Sequence, residues 1–217
     1  MPDQQRSLPL FPLGSLLFPN ATMPLRIFEE RYKLMMQRCL DGDSEFGVVL
    51  IKSGAEVGEP AEPHPIGTVA HITQTAPLSE GNLLVAIVGR SRFLIREITQ
   101  KRPYLEGMVE MLLDEDSVVM DEIELGEVRG AATEYVSLTA GLSGGWVREA
   151  PLPADPTALS YYLPGLMQVD PLEKQHLLEE PTARGRLAAE LQLLRRETTG
   201  LRERVKRQLG GQAFGRN

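Results

Sequence analysis

Apolar positions in the first half of the chain come in short runs, and in the second half they recur every three to four residues. Residues 8–28 read as brief extended pieces interrupted by Pro9, Pro12, Pro19 and Pro24, because proline cannot donate to a strand ladder. Phe28, Tyr32, Met35, Met36, Cys39 and Leu40 then share one helical face. Glu29 and Glu30 suit the positive end of a helix dipole and Asp41-Gly42 supplies a stop, so the pattern predicts a helix over 29–41. FGVVLIK (46–52) is a short β-branched run of the kind a buried strand shows. The Gly-, Pro- and Glu-rich stretch 53–65 reads as exposed loop. Strands are expected again over 66–75, 83–89 and 92–98, the last two separated by a tight bend at Gly89–Ser91. Residues 104–113 alternate, with Leu105, Gly107, Val109, Met111 and Leu113 on one face and Glu106 and Glu110 on the other, the pattern of a half-buried strand.

After the acidic stretch 114–122 no strand signal appears. Residues 120–140 fit a helix that LSGGW breaks, and Pro151, Pro153 and Pro156 mark a linker. Asp155 is placed to cap a helix with Pro156 at its first position, and Asp170-Pro171 repeats that logic. A long final helix starts near Pro181. Strands first and helices afterwards is the order of an α+β fold with segregated layers or two sub-domains. The expected division is a β-rich part with one helix over 1–118, a helical part over 119–209 and a flexible tail over 210–217.

Composition narrows the classes. A chain of 217 residues that is 42% hydrophobic can bury a sizeable core, and with 6% aromatics the packing falls to aliphatic side chains. One cysteine, Cys39, allows no internal disulfide and no thiolate metal cluster. With no secretory pattern at the start and no apolar run near the roughly 20 residues of a bilayer span, a cytoplasmic protein is expected. The net charge of −7 is uneven: residues 184–217 hold nine basic and three acidic residues, +6, which leaves −13 for residues 1–183. That acidic body repels phosphates, so nucleic acid is an unlikely partner.

Candidate chemistry is sparse. GLSGG (141–145) matches a hydrolase elbow, with Ser143 as nucleophile and Asp155 or Asp170 and then His176 following in that fold's order. The elbow needs a strand before the serine, whereas a helical pattern precedes it here, so the two glycines are read as a helix-ending loop. His64, His71 and His176 have no ligand spacing, and no metal or other cofactor is expected. Cys39, on the apolar helix face, is read as a buried structural thiol. No phosphate-binding Gly-Lys-Ser/Thr loop is present. In the last helix Leu187, Leu191, Leu194, Thr198, Leu201 and Val205 form a heptad-like seam interrupted by Gly200. The seam is read first as packing on the protein's own helices, with Leu194, Leu201 and Val205 as the positions a partner helix would meet.

LPLFPLGSLLFPNATMPLRIFEERY (8–32) closely resembles the opening of the amino-terminal, substrate-binding domain of the Lon protease family, and most of all its short stand-alone bacterial members. The likeness continues through FGVVLIK, IGTVAHI, VGRSRFLIREITQKRPYLEGMVE and the helical LSYYLPGLMQVDPLEKQHLLEEPTARGRLAAELQLLRRE, covering about 8–197. Where the family turns with Pro-Gly this chain has Pro19-Asn20, and asparagine tolerates the left-handed conformation. The chain shows no Walker motif and no Ser-Lys peptidase module. The resemblance implies a PUA-like curled sheet or pseudo-barrel followed by a helical bundle, and a non-catalytic role in binding polypeptide clients or a protein partner. Phe18, Met23 and Trp146 are the expected peptide-contacting residues, and self-association through the last helix is the further expectation. RNA binding, a small-ligand pocket in the β-domain and a Ser143 hydrolase are the alternatives.

Overall fold

Five strands of the first half close on themselves. The computed structural model describes residues 5–56, 58, 61–114, 120–142, 145, 147 and 150–214, with side chains as far as residue 207. Strands β1 (Gln5–Leu13), β3 (Glu45–Ser53), β5 (Ile66–Pro77), β6 (Leu83–Gln100) and β7 (Leu105–Leu112) pair in the order β1-β7-β6-β5-β3, and a parallel β1–β3 pairing returns to the start. The result is a small barrel, antiparallel except at that closure. Strand β2 (Thr22–Ile27) pairs on the side with β6, and the two-residue β4 (Glu62–Pro63), inside the stretch expected to be loop, pairs with β3.

Period-two alternation decides which residues fill the barrel. Leu10, Val49 and Val69 point inward with Leu8, Phe93, Leu105 and Val109. Their neighbours Phe11, Val48 and Ala70 point outward, into a second core covered by β2 and by helix α1 (Glu30–Leu40). So tight an interior leaves some positions no side chain. A Cβ on Gly47 would lie 2.6 Å from the Phe93 ring, and one on Gly67 would lie 2.8 Å from that ring and 2.4 Å from the Val48 carbonyl oxygen.

The prolines of β1 do not break it, contrary to the sequence pattern. Pro9 is flanked by β7 but precedes the β3 pairing, and Pro12 is flanked by β3 but follows the β7 pairing. Each stands where the strand has a neighbour on one side, the setting in which a missing donor is tolerated. The tight bend expected at Gly89–Ser91 is only a bulge: β6 runs on for 18 residues, and its pairing with β5 shifts register between Gly89 and Arg92. Gly89 is glycine for another reason. It donates to the Ala21 carbonyl at 2.8 Å and accepts from the Asn20 amide at 2.9 Å, and a Cβ there would lie 2.1 Å from the Phe18 carbonyl oxygen. Gly89→Ala is therefore expected to cost about 2–3 kcal/mol or more, since the obstacle is backbone; urea unfolding of the variant measures it.

The second unit comprises residues 114–168 and 180–217, with helices α2 (Glu122–Leu142), α3 (Pro156–Leu166) and α5 (Ala183–Phe214). Asp155 caps α3 as predicted, accepting from the Ala158 amide at 2.7 Å. This unit does not coincide with the helical part expected over 119–209: it begins at 114, and α4 (Pro171–Glu179) groups with the barrel. Buried Arg92 donates to the Leu178 carbonyl at 2.9 Å, and buried Gln175 donates to the Ile66 carbonyl at 3.0 Å. Helix α5 also continues to Phe214, past the start of the expected tail.

On α5, Leu187, Leu194, Thr198 and Leu201 are buried and Val205 is half-buried. The helix packs on α2, which buries Val128, Ala132 and Tyr135, and on α3. Glu124–Arg184, Glu127–Arg195 and Glu134–Arg202 bridge α2 and α5 on the outside. Exposed pairs of this kind contribute little each. Arg186 is fully buried: it contacts Asp114 at 3.0 Å, donates to Ser160 Oγ at 3.0 Å and the Glu180 carbonyl at 2.8 Å, and lies 4.1 Å over the Tyr161 ring.

One turn further along α5, Glu190 is fully buried and neither carboxyl oxygen has a hydrogen-bond partner among the described residues. Burial pushes its carboxyl well above the ordinary range, against the opposing pull of Arg186. A carboxyl raised in the folded state stabilises most below its unfolded pKa of about 4.3, and that contribution is lost as pH rises through the folded value. Glu190→Gln is accordingly expected to raise stability at neutral pH and to flatten the dependence between mildly acid and neutral pH. Denaturant midpoints of both proteins across that range check it.

Candidate functional site

An open cleft of about 160 Å³ lies where β1 ends, β2 passes and α1 begins. Its floor is Phe11, Leu25, Ile27 and Tyr32, all buried, with the Phe11 and Tyr32 rings 4.3 Å apart. The sequence builds it in three steps. β1 ends at Leu13, and the Gly14 amide that follows donates to the Glu56 carboxylate. The turn at Phe18–Ala21, with Asn20 in the left-handed region at φ 65°, is pinned to Gly89 and aims β2. Glu29, extended just before α1, accepts through its carbonyl the amides of Tyr32 and Lys33.

Phe28 stands at the mouth and is 50% exposed. Its place on the helix face was an expectation that fails, since α1 starts two residues later; Leu40, 39% exposed, likewise leaves that face. Charges around the mouth are mostly matched. Arg31 pairs with Glu29 at 3.0 Å, donates to the Glu56 carbonyl at 3.2 Å and sits 4.4 Å over the Tyr32 ring. Burial raises the Tyr32 hydroxyl, chiefly opposed by Arg31. Arg26 is exposed and has no partner among the described residues. An apolar floor, with Glu29 paired to Arg31 and Glu56 engaged by the Gly14 amide, equips this cleft to hold an apolar group.

Of the expected peptide-contacting residues, Phe18 is in the interior at 4% exposure, Met23 is half-buried against the outer core, and Trp146 lies outside the described residues. Leu194 and Leu201 are covered within the helical unit, so the seam is used internally there. Ser143 also lies outside the described residues. Asp155 and Asp170 are engaged at helix starts, Asp170 accepting from the Leu172 amide at 2.8 Å, and His176 is exposed. His64 lies 4.0 Å from Glu179, and His71 is half-buried on β5. No cluster fit to hold a metal ion occurs among the described residues, and no helix there is long and apolar enough to cross a membrane. Cys39 is buried and its thiol is pushed up to about 12, first by burial and then by Asp43. The position of Phe28 immediately before Glu29-Glu30, acidic residues suited to a helix start, is the sequence signal that it stands outside α1.

A curled barrel followed by helices is a fold shared with solved Lon amino-terminal domains. The crystal structure of a Lon N-terminal domain protein from Xanthomonas campestris superposes with a TM-score of 0.63 at 28% identity, over 87% of this chain and 97% of that one. The N-terminal domain of Mycobacterium avium complex Lon protease shares the fold, with a TM-score of 0.60 at 15% identity. The chain belongs to the ATP-dependent protease La (LON) substrate-binding domain family, whose sequence profile matches residues 7–196. Lon protease of Anaeromyxobacter dehalogenans is 27% identical over 88% of this chain, and Lon protease 2 of Myxococcus xanthus 28% identical over 90%. The chain spans 23% and 24% of those two proteins, about a quarter of their length.

Proposed function

We propose that this chain is a non-catalytic recognition module that binds polypeptide segments displaying bulky apolar side chains. The observation that carries the reading is the open apolar cleft beside half-exposed Phe28. Phe28 is an exposed large apolar residue continuous with the apolar cleft lining, and contiguous solvent-facing apolar surface marks interaction sites. Membership of a family described as a substrate-binding domain agrees with it. Met23 backs β2 from beneath, so its part is to support the strand rather than to touch a client.

The test is binding of a chemically unfolded protein and of a broad peptide library, read by fluorescence anisotropy. Phe28→Ser is expected to weaken binding by about 1–2 kcal/mol, the scale of an aromatic contact at an interface, while the unfolding transition stays in place because Phe28 is outside the core. Absence of binding across the library sinks the reading. Full affinity in Phe28→Ser moves the site away from this cleft.

A further inference from the structure

Two strand edges lacking a neighbour line the same cleft. Among the described residues β2 is paired with β6 alone, and β1 beyond Leu10 is paired with β3 alone, because the β7 pairing stops at Leu105 opposite Leu10. The lining runs through consecutive residues of both, Phe11–Leu13 and Pro24–Phe28. Unbroken runs, in place of alternate residues from one face, bring backbone as well as side chains to the opening. Unpaired strand edges are templates for an added strand. Pro12 and Pro24 remove a donor from each, which keeps the open stretch short and discourages unlimited pairing.

We propose, resting on the polypeptide-binding reading above, that the cleft takes an extended segment as a short added strand, with one bulky apolar side chain on the Phe11–Tyr32 floor and an acidic side chain of the same segment on Arg26. Cleft size sets the first condition: about 160 Å³ is close to the roughly 150 Å³ that houses a benzene ring, enough for one aromatic or branched side chain. Charge sets the second. Glu29 is held by Arg31, and the Glu56 carboxylate by the Gly14 amide. Arg26 is the exposed cation of the lining with no carboxylate partner among the described residues, so the group it can pair with on an occupant is a carboxylate, placed on the Arg26 side and away from Glu56.

The experiment uses the full chain and C-terminally amidated peptides of one design, a central Phe flanked by Asp, by Lys or by Ser. The Asp-flanked peptide is expected to bind about tenfold more tightly than the Lys-flanked one, and the surface variant Arg26→Glu to invert that order. Methylating the peptide amides one at a time is expected to weaken binding at alternate positions, as a strand pairing along one edge requires. Equal affinity for the Asp- and Lys-flanked peptides, an order unchanged in Arg26→Glu, or a methylation profile without period two overturns this mode and leaves polypeptide binding standing. Failure of every library peptide to bind is the different result that removes the broader reading.

Discussion

Phe93→Ala is expected to destabilise the barrel by about 3–5 kcal/mol, the range for deleting a fully buried aromatic. Phe93 has no exposed surface and sits in the interior cluster with Leu8, Leu10, Val49, Val69, Leu105 and Val109. Its ring occupies the space that side chains at positions 47 and 67 would otherwise claim. Such a closed barrel cannot collapse onto the void, because its wall is held by strand pairing on every side. The companion experiment separates the two glycines. At Gly47 the nearest obstacles are side chains, Phe93 and Leu10, whereas at Gly67 the nearest is the Val48 carbonyl oxygen. Gly47→Ala is therefore expected to be costly alone and less costly in a Phe93→Leu background, where only the Leu10 side chain still has to shift, and Gly67→Ala to be costly in both. Urea unfolding of the six proteins, both backgrounds with and without each glycine substitution, reads the coupling; equal costs in both backgrounds at position 47 contradict close packing against Phe93.

Arg186→Ala is expected to cost the helical unit about 3–5 kcal/mol, the scale for removing one partner from a buried charged network. Its guanidinium reaches Asp114, Ser160 and the Glu180 carbonyl while stacking on Tyr161. Asp114 also accepts from the Tyr161 hydroxyl at 2.5 Å. Asp114 and Glu180 are the residues at which the chain enters the helical unit from the barrel unit, so this one side chain ties together the starts of both of its segments. Arg186→Lys should recover little, since an ammonium cannot place several donors in the plane of a guanidinium fork. Amide hydrogen exchange gives the clearest measurement: α3 and α5 should lose protection while the barrel strands keep theirs. Equal loss in both units, or a cost below about 1 kcal/mol, counts against this account.

Much of the fold is readable along the chain because it rests on local rules. The β-branched run 46–52 and the alternation at 104–113 became β3 and β7. Asp155-Pro156 became a capped helix start, since the donor and acceptor lie three residues apart. The family likeness at 8–32 led to the right architecture. The α5 seam showed its spacing, and the same spacing was compatible with an internal or an external partner.

Long-range contact settled the remainder. Gly89 looked like a bend because glycine usually marks one; here the Phe18 carbonyl, 71 residues earlier in the chain, leaves no room for a Cβ. Pro9 and Pro12 looked like strand breakers, and became acceptable through where the neighbouring strands begin and end. Phe28 moved from core to cleft mouth because α1 starts two residues later than its apolar periodicity suggested. Arg186 and Glu190 fall at helical spacing with Leu187 and Leu194, but their charge reads as a solvated face, and only the packing shows that both are covered. Propensity, caps and alternation are properties of a few adjacent residues, so the chain itself specified the strands and helices. Which backbone edges stay unpaired, and which polar groups lose their water, depend on segments brought together from far apart, and the cleft exists only at that level.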